Sequence, residues 1–137
     1  MQGLHLTADI KGCRMNRGLM TDASKLRSTC LTLVELSGLT AVSDVFFEFP
    51  AATGNESGGV TGTVLLAESH LAIHTWPELT AVTLDVYVCN YSMDNSHKAR
   101  KLIEAMIELF KPDAIVRKQL ERGELAVEEC AQRLDGG

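Results

Sequence analysis

The sequence contains no long apolar run. Its uninterrupted aliphatic stretches are a few residues, such as Val64–Ala67, far short of the roughly 20 that a membrane-spanning helix needs. No membrane partner is expected. The opening MQGLHLTADIK lacks a basic segment followed by an apolar one, so no secretory leader is read and a cytoplasmic location is the expectation. Basic runs are also missing, and 13 Lys+Arg against 18 Asp+Glu leave a formal charge of -5. That sign argues against a phosphate backbone, so nucleic acid is not an expected partner. Cys13, Cys30, Cys89 and Cys130 include no C-x-x-C pair. A chain of this size does not need disulfide staples, so all four are read as free thiols. Aromatics are scarce at 5%, but 45% of the 137 residues are apolar and 23% charged, enough to bury one core and avoid disorder. One domain covering residues 1–137 is the expectation.

Along the chain, Leu4, Leu6, Ala8 and Ile10 alternate with polar residues, the pattern of a half-buried strand. Thr21 or Asp22 is placed to cap a helix carrying Leu26, Cys30, Leu33 and Val34, with Gly38 to end it. Thr40–Phe49 is rich in Val and Phe and stops at Pro50, as a strand would. The small, polar Ala51–Gly59 reads as a loop. Val60–Ala67 and Leu71–Trp76 read as strands. Thr80–Cys89 alternates most cleanly, with Val82, Leu84, Val86 and Val88 on one face and Thr83, Asp85, Tyr87 and Cys89 on the other. Asp94 or Asn95 can cap a second helix bearing Leu102, Ile103, Met106 and Phe110, closed by Pro112. Ala114–Leu120 is a last strand, and residues 124–137 form a charged tail expected to be a short helix or frayed. This order predicts an α+β two-layer sandwich, a mainly antiparallel sheet with two helices packed on one face. The other face, mixing Phe, Tyr, Cys and Thr with charges, suits a second copy of the chain, so a homodimer is expected.

The densest group of reactive side chains is Glu68-Ser69-His70-Leu71-Ala72-Ile73-His74-Thr75-Trp76-Pro77-Glu78. A serine hydroxyl needs a base to act as a nucleophile, and His70 or His74 could provide one. A lone serine near two histidines is more often structural. His70 and His74 have the spacing of a helical zinc pair, but on a strand they stand about 13 Å apart, so no metal site is expected. Cys89 is either an apolar filler or an acid/base group, and its place on the polar face of its strand favours the second.

The string E-S-H-x-x-I-H-T-W-P-E closely resembles the cleavage-site signature of the prokaryotic S-adenosylmethionine decarboxylase proenzymes, a pyruvoyl-dependent family. Gly3-Leu4-His5-Leu6 resembles the family's first strand, Gly59-Val60-Thr61-Gly62 the segment before the cleavage strand, and Asp85-Val86-Tyr87-Val88-Cys89 the strand that ends in its catalytic cysteine. The resemblance runs from about Gly3 to Gly123. It implies self-cleavage between Glu68 and Ser69 by an N-to-O acyl shift and β-elimination, with His74 as base and Thr61 supporting the processing. Ser69 would become an N-terminal pyruvoyl group, the only cofactor, which forms a Schiff base with the substrate amine. Cys89 would protonate the carbanion left by decarboxylation. Phe49 and Trp76 match positions that hold the adenine ring, and Glu78 one near the ribose. The implied role is decarboxylation of S-adenosylmethionine for polyamine (spermidine) biosynthesis.

Several positions depart from the family pattern. Thr61 stands where Ser is common, Phe47 where the usual Phe-His-x-Phe has its imidazole, and Asn90 where Gly usually follows the cysteine. The loop Ala51–Gly58 is longer than the family's tight connection. Two alternatives accompany the main reading. A pyruvoyl-dependent decarboxylase of a basic amino acid, ornithine or arginine, would aim Glu48, Glu56 or Asp85 at the substrate cation. An uncleaved, non-enzymatic regulatory paralogue would remain one chain of 14.9 kDa.

Overall fold

A computed structural model describes residues 2–51, 58–91 and 93–123. The charged tail 124–137, including Cys130, and loop residues 52–57, including Glu56, lie outside the described residues. Strands β1 (Gly3–Lys11), β2 (Ala41–Glu48), β3 (Val60–Leu66), β4 (Ser69–Trp76), β5 (Ala81–Cys89) and β6 (Ala114–Arg122) form one sheet in the order β2-β3-β4-β5-β1-β6. Every neighbouring pair is antiparallel. Helix α1 (Ala23–Leu36) packs over β2 and β3, and α2 (Ser96–Phe110) over β1 and β5. Both helices lie on one face, so the expected α+β two-layer sandwich is the observed architecture.

The core lies between sheet and helices. Leu71, Ile73, Val82 and Val86 from the sheet meet Leu26, Cys30 and Val34 of α1 and Leu102, Met106 and Phe110 of α2, all buried. Strand alternation and helical spacing thus point the same residues at one another. Cys13 and Cys30 behave as core fillers. Burial pushes the Cys30 thiol up to about 12, and burial, reinforced by Asp113, raises Cys13.

Helix ends follow local rules. The Asp22 carboxylate accepts from the Lys25 backbone N–H at 3.0 Å, and Gly38 at φ 87° lets the Leu39 N–H return to Val34 O at 3.1 Å. Arg27 clamps Asp44 through two bonds of 2.6 and 3.1 Å, tying α1 to β2. Two short 3-10 turns, Arg17–Met20 and Pro77–Leu79, were not evident from periodicity. Strand β4 begins at Ser69, two residues before the predicted Leu71, because Ser69 and His70 pair with Leu66 and Leu65. The connection from β3 is therefore the two-residue turn Ala67-Glu68, and the Glu68–Ser69 peptide bond lies at its end.

Candidate active site

Two groups of the predicted residues come together, at opposite ends of β4. At the first end, Ser69 Oγ accepts a hydrogen bond of 3.1 Å from the backbone N–H of Cys89. Alternation gives Ser69 the face of Leu71 and Ile73, while Cys89 takes the opposite one, so the contact uses the cysteine's amide rather than its thiol. Cys89 is itself buried, 7% exposed. Its carbonyl accepts from Asn95 Nδ2 at 3.0 Å, and Asn90 supports the same corner by accepting from the Asn95 N–H at 2.8 Å and bonding Ser96 Oγ at 3.0 Å. Asn90 lies outside the left-handed region of backbone space. Nothing at that position demands glycine, and the asparagine stitches the strand end to α2.

At the other end of β4, Thr61 and His74 are cross-strand partners and Thr61 Oγ1 hydrogen-bonds His74 Nδ1. They open onto a cleft of about 1040 Å³ that also takes in Phe49, Trp76 and Glu78. The cleft floor is fixed by the buried Thr75, whose hydroxyl donates to Met20 O at 2.6 Å and accepts from the Val60 N–H at 2.8 Å. Gly59 is required there, since a Cβ would meet Thr75 O at 2.2 Å. Phe49 and Trp76 are 49% and 44% exposed, so neither serves as core packing. The Phe49 ring meets Phe47 edge-on, with centroids 5.0 Å apart. Phe47 is the cross-strand neighbour of Thr61, so the departure from Phe-His-x-Phe replaces an imidazole beside the Thr61–His74 pair with an apolar ring. Arg17 also lines the cleft. It lies on a 3-10 turn that periodicity does not reveal, and its basic charge was the only signal of it.

Ser69 and His74 do not meet within one chain. Five residues of extended strand separate them, roughly 16 Å. Between the two ends, on the face away from the helices, the Asp85 carboxylate lies 3.2 Å from His5 Nε2 and 3.2 Å from His70 Nε2. The sequence reading missed this group because its members come from β1, β4 and β5. The three ligand-type atoms lie within 4.8 Å of one another, a spacing a metal ion could also span. The opposite nitrogen of His5, however, faces Arg122 Nη1 at 3.4 Å. Arginine only donates, so His5 Nδ1 is the acceptor and Nε2 carries the proton given to Asp85, the arrangement of a hydrogen-bonded network.

Of the acidic residues considered for a basic amino-acid substrate, the two that are described are engaged elsewhere. Glu48 accepts from the Ala23 N–H at 2.9 Å at the start of α1, and Asp85 holds the two histidines. Glu56 lies outside the described residues.

The α+β sandwich carries a serine at the head of β4 and an aromatic-lined cleft at the strand's other end, and likeness to known proteins places that arrangement among the decarboxylases. The family model described as S-adenosylmethionine decarboxylase matches residues 4–123. The S-adenosylmethionine decarboxylase proenzyme of Archaeoglobus fulgidus is 35% identical over 121 residues, covering 88% of this chain and 97% of that one. The proenzyme of Persephonella marina is 32% identical over 133 residues, covering 97% and 91%. The crystal structure of the adenosylmethionine decarboxylase from Aquifex aeolicus superposes with a TM-score of 0.76 at 31% identity, covering 91% of this chain and 93% of that chain. The chain belongs to the S-adenosylmethionine decarboxylase family.

Proposed function

We propose that this chain is a proenzyme that cleaves itself between Glu68 and Ser69 and then decarboxylates S-adenosylmethionine. The observation that carries this reading is the Ser69 hydroxyl at the end of a two-residue turn, oriented by the Cys89 amide at 3.1 Å. Attack of Ser69 Oγ on the Glu68 carbonyl forms an ester as the Glu68–Ser69 C–N bond breaks. Removal of the Ser69 α-proton then expels the Glu68 carboxylate, and water replaces the freed amine nitrogen, which leaves as ammonia. A serine at the head of a strand, with its backbone held by the ladder, fits the resulting pyruvoyl group. That group supplies a carbonyl able to take up the electrons released as carbon dioxide departs. Cys89 would return a proton to the former α-carbon. Phe49 and Trp76 would sandwich or flank the adenine, with the Glu78 carboxylate accepting from the ribose hydroxyls.

His74 would be the base, and its distance from Ser69 requires a second chain. Val45, Phe47, Leu65 and Leu120 are exposed apolar side chains on the helix-free face, the kind of surface that a copy of the same chain covers. In a two-fold stack of these faces with strands running in opposite directions, the Thr61–His74 end of one chain lies over the Ser69–Cys89 end of the other. The functional unit is then a homodimer with composite sites.

Denaturing mass spectrometry of the purified protein should show two fragments, Met1–Glu68 and a blocked Ser69–Gly137, while Ser69→Ala stays one chain. Labelled carbon dioxide should come from S-adenosylmethionine and not from ornithine, arginine or lysine. A wild-type protein that remains a single species after long incubation sinks the enzymatic reading.

A further inference from the structure

The covalent hairpin that holds Ser69 before cleavage is destroyed by cleavage. In the intact chain Ser69 is tied through Ala67-Glu68 to its partner Leu66. Once the Glu68–Ser69 bond is gone, residue 69 is a chain end, and chain ends fray unless something fastens them. A reactive carbonyl displaced by about 1 Å can lose roughly a hundredfold in rate. The next residue, His70, is the first with a side chain able to anchor the new terminus.

That side chain is already fastened. Asp85 accepts from His70 Nε2 and His5 Nε2 on the same carboxylate oxygen, at 3.2 Å each. His5 and His70 are both cross-strand partners of Tyr87, one from each side, so the register of three central strands fixes their approach. The Tyr87 ring lies 5.9 Å from the His5 ring and 5.7 Å from that of His70. Arg122 closes the group from β6, with its guanidinium 4.8 Å above Tyr87. Strands β1, β5 and β6 are untouched by the cleavage. The anchor for His70 is therefore attached to the part of the sheet that does not come apart.

We propose that Asp85 is a positioning residue that acts through His70, holding the cleaved end of β4 so that the group formed from Ser69 stays beside Cys89. This inference rests on the self-cleaving decarboxylase reading. It predicts an asymmetry. Before cleavage the turn does the same job, so processing tolerates loss of Asp85 better than turnover does.

The test compares Asp85→Ala, His70→Ala, the double variant and Asp85→Asn, all as the full chain. Asp85→Ala is expected to cleave, then to show kcat lowered roughly tenfold or more with KM for S-adenosylmethionine little changed. His70→Ala should match it, and the double variant should lose no more than either alone, since the two act as one unit. Asp85→Asn keeps an acceptor oxygen for one imidazole N–H and should recover part of the loss. Hydrogen exchange gives a readout independent of activity: the amides of His70 and Leu71 should exchange faster in cleaved Asp85→Ala, but not in the uncleaved Ser69→Ala/Asp85→Ala protein. If wild type never forms two fragments, the decarboxylase reading fails and takes this inference with it. If wild type cleaves but cleaved Asp85→Ala keeps its kcat, or exchange rises equally in the uncleaved protein, the inference alone is overturned.

Discussion

Trp76 lines the cleft and is 44% exposed, just ahead of the Pro77–Leu79 turn. An aromatic left that open gains little from the fold and much from a planar ligand. Stacking is worth about 1 kcal/mol or slightly more, so Trp76→Ala should raise KM for S-adenosylmethionine by roughly tenfold while leaving cleavage at Glu68–Ser69 intact. Steady-state kinetics and mass spectrometry on the same sample check both halves. Single residues also show where motif matching and geometry part. Asn90 in place of glycine reads in the sequence as a departure. In the structure it needs no special backbone and bonds the start of α2. Glu48 reads as a candidate for a substrate cation, yet its carboxylate accepts from the Ala23 N–H and is spent on α1. The Glu48 outcome depends on a neighbour 25 residues away in sequence, and the Asn90 outcome on residues five and six positions further along the chain.

Among the elements, β4 carries two tasks on alternate residues. Leu71 and Ile73 are fully buried against the helices, while His70 and His74 take the other face. Leu71→Ala should therefore cost about 2–5 kcal/mol in urea unfolding, without altering any side chain that lines the cleft. A loss under about 0.5 kcal/mol, the range of surface substitutions, would mean that β4 is not the core strand described. The eight long elements were legible in the sequence because strand alternation and helical spacing are local signals, and Asp22 and Gly38 mark the ends of α1 by local hydrogen bonds. The two 3-10 turns were not, being too short to show a period. The start of β4 was placed late for a related reason: Ser69 and His70 are polar, and their strand conformation comes from pairing with Leu66 and Leu65 rather than from their own side chains.

For the molecule as a whole, the separation of Ser69 from His74 is the feature with the most consequence. If sites are composite, an inactive pair should complement. Ser69→Ala lacks the nucleophile and His74→Ala lacks the base, so each alone should remain one chain, whereas co-expression should yield cleavage of the His74→Ala chain by the His74 of its Ser69→Ala partner. Failure of the mixture to cleave, with dimers present by light scattering, would place the base within the same chain or elsewhere. The sequence by itself determined the eight long elements, the sandwich class and the string from Glu68 to Glu78, because periodicity, caps and a contiguous string are properties of neighbours along the chain. Only the tertiary structure decided that Ser69 meets the Cys89 amide, that Thr61 and His74 share a different end of the strand, and that Asp85 joins His70 to His5, which lies 80 residues from Asp85 in sequence. Those meetings depend on strand order and register, which are set by packing among distant segments and leave no local trace.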